Sequence, residues 1–179
     1  MEHTTVAREV AEPVGILTVD ELKKLLAVAS SEIVASLAIG AFAGLRAAEI
    51  ERLDWSEIDL ESRLIEVKSK TARRRLIKVL PNLAAWLAPV AKKSGAGTPP
   101  NLRKLTLLAR EKAGLPAWPP NALRHSYASH HIAHFSDAAA LALEMGHTNT
   151  AMIFQHYREV VRPREAARYW KILPGVMPP

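Results

Sequence analysis

The order of hydrophobic and polar positions predicts a run of helices in the first third of the chain. Thr18 and Glu21 have the spacing of a capping box, which opens the first predicted helix. The next apolar stretch carries almost no charge, so a buried second helix is expected over 31–42. Gly44 interrupts this pattern, and a short third helix is expected over 46–53.

The periodicity then changes from helical to alternating. Ile65 and Val67 are the apolar positions of one predicted strand, and Leu76 or Ile77 continues the pattern with Val79 on the next. A Ser-Lys-Thr-Ala tetrapeptide between the two stretches is typical of a turn. The sequence therefore predicts a β-hairpin with one wet, basic face.

Helical patterns return after the hairpin and continue close to the C-terminus. Proline and glycine residues separate them, as is usual at helix starts and ends. The predicted helical segments are PNLAAWLAPV, NLRKLTLLAREKAG, NALRHSYASHHIAH, DAAALALEM, AMIFQHY and REAARYW. The expected fold class is α+β, mainly helical, with a small antiparallel β-sheet packed beside a helical core.

Composition excludes several classes of protein. A chain of 179 residues suffices for one compact domain and is short for two. No apolar run approaches the roughly 18 residues of a membrane span, and the first residues lack the layout of a secretion signal. With no cysteine, disulfides, cysteine nucleophiles and thiolate metal sites are excluded, and a cytoplasmic location is expected.

The net charge of +6 favours a polyanionic partner such as DNA or RNA. Aromatic residues make up only 6% of the chain, which argues against a single-strand binder built on base stacking. Basic residues cluster in the predicted hairpin. They are Lys68, Lys70, Arg73, Arg74, Arg75 and Lys78.

Five polar residues fall at the ends or turns of predicted elements, where their side chains can converge. Arginine can clamp two oxygens of a phosphate with parallel hydrogen bonds. Lysine can give a proton to a leaving oxygen, and the tyrosine hydroxyl can attack phosphorus. The five residues, a coherent set for a phosphodiester, are Arg46, Lys70, Arg124, His147 and Tyr157.

These motifs, in this order and spacing, resemble the catalytic domain of tyrosine recombinases of the phage integrase family. The resemblance extends over roughly residues 16–172 and rests on five matches rather than on any single motif. The matching motifs are GLRAAEI with Arg46 and Glu49, SKT with Lys70, LRHS with Arg124, the Gly146-His147 step, and Tyr157 about ten residues later.

One position departs from the family pattern. The second arginine box of the family usually begins with histidine or lysine three residues before its arginine, and here that residue is Asn121. An amide can hydrogen-bond to a phosphate oxygen, but it cannot accept a proton at neutral pH. The resemblance therefore implies a supporting role for Asn121, with slower chemistry than the family pattern, and not a general base.

The resemblance implies a transesterification that needs neither metal nor cofactor. Tyr157 would attack the scissile phosphate to form a 3′-phosphotyrosine and a free 5′-hydroxyl, to which Lys70 would give a proton. The charge on the phosphate oxygens would be held by Arg46, Arg124 and His147, supported by Glu49 and Asn121. The residues expected to bind DNA are Lys68, Arg73, Arg74 and Arg75.

The resemblance also implies partners and a domain layout. Double-stranded DNA is the expected substrate, and the full-length protein is expected to act as a tetramer. Residues 1–14 are expected to form a tail or linker remnant and residues 15–179 the catalytic domain, with the N-terminal DNA-clasping domain of the family absent. Residues 163–179 are expected either to exchange between subunits or to fold on their own domain.

Several chemically suggestive residues have plainer interpretations. Tyr127 and Tyr169 have apolar or aromatic neighbours and are expected to pack in the core. His125 directly follows Arg124 on a predicted helix, so it is expected to point elsewhere and to form a structural hydrogen bond. His130 and His134 have the spacing of a metal pair, but no third ligand stands at a suitable distance, and no metal is expected.

Two other functions remain open at this point. The chain is either an active recombinase domain or a DNA-binding module that no longer cuts, and Asn121 is the feature that favours the second. A type IB topoisomerase shares the fold and the chemistry of the family, and relaxation of DNA without sequence preference would distinguish it.

Overall fold

A computed structural model describes residues 14–68, 74–147, 149–157 and 161–175. Within these ranges the chain forms helices packed beside a three-stranded antiparallel sheet. The helices are α1 (Val19–Val28), α2 (Val34–Ala43), α3 (Ala47–Ile50), α4 (Pro81–Leu87), α5 (Leu102–Lys112), α6 (Ala122–Phe135), α7 (Ala138–Met145), α8 (Ala151–His156) and α9 (Pro163–Tyr169). The strands are β1 (Ile58–Asp59), β2 (Leu64–Lys68) and β3 (Arg74–Lys78). The predicted α+β, mainly helical class is confirmed.

Helix α2 lies at the centre of the domain. All ten of its residues are buried, and it packs against α4 and α6. The helix begins at Val34, three residues later than predicted, because Ser31 and Glu32 lie exposed in a turn whose Ser30 carbonyl accepts from the Val34 N–H. A helix that is apolar on every side, as α2 is, has no face for solvent and becomes the core.

Helix α3 is also shorter than predicted. It ends at Ile50 because Asp54 begins a separate 3₁₀ turn, where its carboxylate accepts from the Ser56 N–H at 2.9 Å. That turn leads into β1, which the sequence analysis did not predict. Two residues are too few to show the alternation by which a strand is recognised.

The two strands of the predicted hairpin pair in antiparallel fashion, as β2 and β3. Ile65 lies opposite Ile77, and both are fully buried in the core with Val67. Ile77, not Leu76, is the buried partner, and Leu76 is 59% exposed. The predicted turn of the hairpin, with Lys70 and Arg73, lies outside the described residues.

The core has two parts that meet along α6. The larger contains α1, α2, α4 and the sheet. The smaller joins α6, α7 and α8 through Tyr127, Leu141, Met145, Ile153 and Tyr157. Because Tyr157 belongs to this second cluster, its ring is fixed by packing before any substrate is considered.

The last helix folds on its own domain. Helix α9 packs against α6 and α1, its Tyr169 is fully buried, and the Tyr169 hydroxyl donates to the carbonyl of Ala41. In this single chain residues 163–175 thus fold on their own domain, and exchange between subunits stays a prediction. Tyr127 is 2% exposed, so both predicted packing tyrosines are in the core.

Candidate active site

Two helices end in the same way at the site. Gly44 ends α2 with φ 65° and Gly146 ends α7 with φ 67°, a left-handed conformation that glycine adopts without steric cost. Arg46 follows Gly44 by two residues, and His147 follows Gly146 directly. The two glycine turns therefore bring Arg46 and His147, two of the predicted site residues, to the same site.

Arg124 lies between these helix ends. It is the third residue of α6 and is 7% exposed. Its Nη1 donates to the Gly44 carbonyl at 2.5 Å, and its Nη2 donates to the Met145 carbonyl at 2.8 Å. Carbonyl groups at the end of a helix have no partner within it and carry the negative end of the helix dipole. Two helix ends thus hold one buried guanidinium.

The charge of Arg124 is not cancelled by these partners. Burial, with the positive charge of Arg46 nearby, lowers the pKa of Arg124 to about 10, so the side chain stays protonated at neutral pH. Its hydrogen-bond acceptors are neutral carbonyls. The site therefore keeps a positive charge that is fixed in position and able to attract an anion.

Arg46 lies on the solvent side of the same site. It is the N-cap of α3, and its side chain is 47% exposed. Its backbone N–H donates to Glu49 Oε2 at 2.8 Å, and its Nη1 lies 3.2 Å from Glu49 Oε1. The acid three residues after this arginine therefore orients both its backbone and its side chain.

Glu49 also binds Arg75 from β3. The Arg75 guanidinium pairs with both oxygens of Glu49, at 2.9 and 2.8 Å, while its Nε donates to the Glu144 carbonyl at 2.8 Å. Burial raises the pKa of Glu49, but the Arg75 hydrogen bonds, the Arg46 N–H and the charges of both arginines outweigh it and lower the pKa to about 2. Glu49 is therefore ionised, and Arg75 links α3 to the last turn of α7.

His147 completes the cationic cluster. Its Nε2 lies 3.4 Å from Arg124 Nη2. An arginine can only donate, so Nε2 accepts and the neutral ring carries its proton on Nδ1. Burial, followed by the charges of Arg124 and Arg46, lowers the pKa of His147.

Tyr157 lies at the C-terminal end of α8 and is 5% exposed. Its hydroxyl oxygen lies 2.9 Å from Nδ1 of His125. Burial raises the pKa of the Tyr157 phenol, while the positive charges of Arg124 and Arg46 act in the opposite direction. The phenol is thus protonated at neutral pH and close to the cationic cluster.

The structure brings most of the predicted site residues together. The contacts above link Arg46, Glu49, Arg124 and His147. Tyr157 lies close enough to the two arginines for their positive charges to act on the pKa of its phenol. Asn121 precedes α6 with φ 54° and an exposed side chain, beside a cavity of about 540 Å³ that Arg124 also lines. Lys70 and Arg73 lie outside the described residues.

The predicted DNA-binding residues divide into two groups. Lys68 and Arg74 have exposed side chains at the end of the hairpin and pair with Glu57 at 2.7 Å and Glu66 at 3.0 Å. Arg75 is different, because its side chain is 14% exposed and its guanidinium is occupied by Glu49 and Glu144. This arrangement favours a positioning role for Arg75 over the phosphate contact expected from the sequence.

Sequence reasoning missed the surroundings of His125. The residue does form a hydrogen bond, as expected, but the partner is the Tyr157 hydroxyl, and the two ring centroids are 5.7 Å apart. The contact joins residues 32 positions apart on α6 and α8, and no local pattern signals it. The role of Arg75 was likewise hidden, since Glu49 is 26 positions away.

The histidines with metal-like spacing have other contacts. Nδ1 of His130 lies 2.8 Å from the Ser126 carbonyl, and its ring stacks on Tyr169 with centroids 3.9 Å apart. Among the described residues, no three histidines or acids are grouped so as to hold a metal ion. The same part of the chain has no helix long and apolar enough to cross a membrane.

Comparisons with known proteins match most of the chain to one family and one fold. Residues 16–163 match the model of the phage integrase family. The tyrosine recombinase XerC of Actinobacillus succinogenes is 30% identical over 132 residues, which cover 63% of this chain and 45% of that protein. The chain spans about half the length of the curated relatives it matches.

Two solved structures have a similar fold. The XerA recombinase aligns with a TM-score of 0.69 at 19% identity, over 89% of this chain and 65% of that one. The catalytic domain of bacteriophage HP1 integrase aligns with a TM-score of 0.66 at 20% identity, over 90% of this chain and 89% of that domain. The second alignment is nearly complete on both sides.

Proposed function

Because the chain belongs to the phage integrase family, we propose that it is the DNA-cleaving domain of a site-specific recombinase. Residues 15–179 form the catalytic domain, which cuts and rejoins DNA strands through a 3′-phosphotyrosine. The observation that carries the proposal is the buried, protonated Arg124, held between two helix ends within reach of His147 and close to Tyr157. Binding DNA alone needs no tyrosine packed beside such a cluster.

The cluster suits the charge that develops during phosphoryl transfer. Arg124 and Arg46 supply donors to the non-bridging oxygens of the scissile phosphate, and such donors are typically worth ~10²–10³ in rate each. A phosphate anion beside His147 opposes the effect of the neighbouring arginines and raises its pKa, so the ring becomes a third donor. None of these steps requires a metal ion or a cofactor.

Tyr157 is the nucleophile. Its hydroxyl oxygen attacks phosphorus, the bond to the 5′-oxygen breaks, and Lys70 gives that oxygen a proton. The phosphotyrosine conserves the energy of the broken bond, so a 5′-hydroxyl from another strand can reverse the reaction without ATP. Glu49 supports the site by holding Arg46, and Asn121 supports it as an amide donor.

Double-stranded DNA lies along the basic edge of the hairpin in this proposal. Its phosphate backbone contacts Lys68, Arg73 and Arg74. Loss of one such contact should reduce the slope of log K against log salt concentration by about one. The protein acts in the cytoplasm, and its full-length form assembles as a tetramer on two duplexes. The family membership and the net charge of +6 support these partners.

The test is trapping of the covalent intermediate. The protein is mixed with a library of nicked suicide duplexes in chelator, and a denaturing gel is examined for a protein–DNA adduct. We expect an adduct with the wild type and none with Tyr157→Phe. Tyr127→Phe, which keeps a ring of the same core cluster and removes only the hydroxyl that donates to Glu144, is the matched control and should still form the adduct.

Other outcomes point to other functions. DNA binding without any adduct would contradict cleavage and favour the non-cutting module that Asn121 suggests. Nicking and relaxation of plasmid DNA without sequence preference would point to a topoisomerase. A strict requirement for Mg²⁺ would contradict the phosphotyrosine mechanism itself.

A further inference from the structure

His125 contacts the reacting oxygen of Tyr157 directly. Its Nδ1 lies 2.9 Å from the Tyr157 hydroxyl, within the range of a hydrogen bond between heavy atoms. The ring is half-buried and its centroid is 5.7 Å from that of the tyrosine. The contact therefore links an imidazole, which can accept or give a proton, to the attacking atom itself.

His125 stands one helical turn after Asn121. The His125 N–H donates to the Asn121 carbonyl at 2.9 Å, so the two residues lie on the same side of α6. An asparagine cannot accept a proton at neutral pH, whereas a neutral imidazole can. The helix thus carries a proton acceptor one turn further along than the position where the family pattern has one.

We propose that His125 is the proton acceptor for Tyr157 in strand cleavage, a role that Asn121 cannot perform. The inference rests on the proposed function. As Tyr157 Oη attacks phosphorus, its proton passes to His125 Nδ1, and the 5′-oxygen leaves with the proton of Lys70. In the rejoining step the 5′-hydroxyl gives its proton back to Lys70 as its oxygen attacks phosphorus, the bond from phosphorus to Oη breaks, and the imidazolium returns the proton to Oη.

The surroundings of His125 keep its ring ready to accept. Burial, followed by the charges of Arg124 on its own helix and His156 on α8, lowers the pKa of His125. The ring is therefore neutral at pH 7. Because Nδ1 faces the hydroxyl, the accepting tautomer carries its proton on Nε2.

The decisive variant is His125→Asn. The Asn amide oxygen occupies nearly the position of Nδ1 and keeps the hydrogen bond to Tyr157, but it takes no proton. We expect the single-turnover rate of adduct formation at pH 7.5 to fall by about 10²-fold or more, the usual contribution of a positioned base. His134→Asn, an exposed histidine on the same helix, is the matched control and should keep the wild-type rate.

A substrate with sulfur in place of the 5′-bridging oxygen separates this role from proton donation to the leaving group. A thiolate leaves without a proton, since thiols ionise near pH 8.5. We expect this substrate to restore cleavage by Lys70→Ala but not by His125→Asn. Restoration of His125→Asn, or a wild-type rate for this variant on ordinary DNA, would overturn the proposal.

The pH profile of adduct formation tests the same role. The wild-type rate should fall as the pH decreases and the His125 ring takes up a proton, and the lowered pKa of His125 shifts this fall below the ordinary range of an imidazole. The fall should be absent from His125→Asn, and a fall of the same size in that variant would contradict the proposal. If the wild type forms no adduct at all, the proposed function fails first, and this inference fails with it.

Discussion

The C-terminal ends of α2 and α7 are built alike but stand in different surroundings. Each ends at a left-handed glycine, and each gives a carbonyl to Arg124. Gly44 is buried, and a Cβ atom there would overlap the ring of Tyr127. Gly146 is exposed, and a Cβ atom there would come no closer than 3.5 Å to the side chain of Arg75.

This difference shows that one local motif can be enclosed by the core at one place and open to solvent at another. The end of α2 cannot shift without displacing Tyr127, so it sets the position of the site. At the end of α7 Met145 is buried and only Gly146 is exposed, and two arginine side chains tie this end to the first. Arg124 joins Gly44 to Met145, and Arg75 joins Glu49 to Glu144.

Removal of the Arg124 bridge should have the largest effect. In Arg124→Met, two carbonyls lose their donor, at roughly 1–3 kcal/mol each, and cleavage loses a phosphate donor worth ~10²–10³ in rate. Urea unfolding and adduct formation measure the two losses. Arg103→Met, on the exposed side of α5, is the control for stability and should lie within about 0.5 kcal/mol of the wild type. An Arg124→Met protein of wild-type stability would contradict the bridge.

Alanine at the two glycines tests the comparison directly. Both variants force an L-residue into the left-handed region, at about 1–2 kcal/mol. Gly44→Ala also overpacks against Tyr127, which adds about 1–3 kcal/mol, whereas Gly146→Ala adds no clash. In thermal or urea unfolding, Gly44→Ala should therefore be considerably less stable than Gly146→Ala. Equal losses of stability would refute the distinction between the two helix ends.

The ion pair between Arg75 and Glu49 should make the free energy of unfolding depend on pH. Because the pKa of Glu49 is about 2 in the folded protein against 4.5 as reference, its contribution to stability is complete above pH 4.5 and is lost as the pH falls towards 2. The shift corresponds to about 3 kcal/mol. Glu49→Gln should therefore flatten the fall in unfolding free energy over that window, relative to the wild type. Glu51→Gln, exposed in the next turn, should keep the wild-type slope, and an unchanged slope in Glu49→Gln would disprove the contribution.

Much of the fold was predictable because its signals are local. The capping box of α1, the apolar α2, the alternation of the hairpin and the glycines that follow α2, α5 and α7 are all patterns within a few residues. The boundaries of α2 and α3 were less accurate, since the turn before Val34 and the cap at Asp54 compete with helix for the same residues. Strand β1 was not predicted because it has only two residues.

The sequence by itself determined which residues are available for phosphate chemistry and that they fall at the ends or turns of elements. Only the tertiary structure decided what the described members of this set contact. Arg75 looked like its basic neighbours but pairs with Glu49, and His125 looked structural but lies against Tyr157. The physical reason is that hydrogen bonds and ion pairs between distant residues depend on how α6, α7, α8 and the sheet pack, and burial makes those pairings necessary.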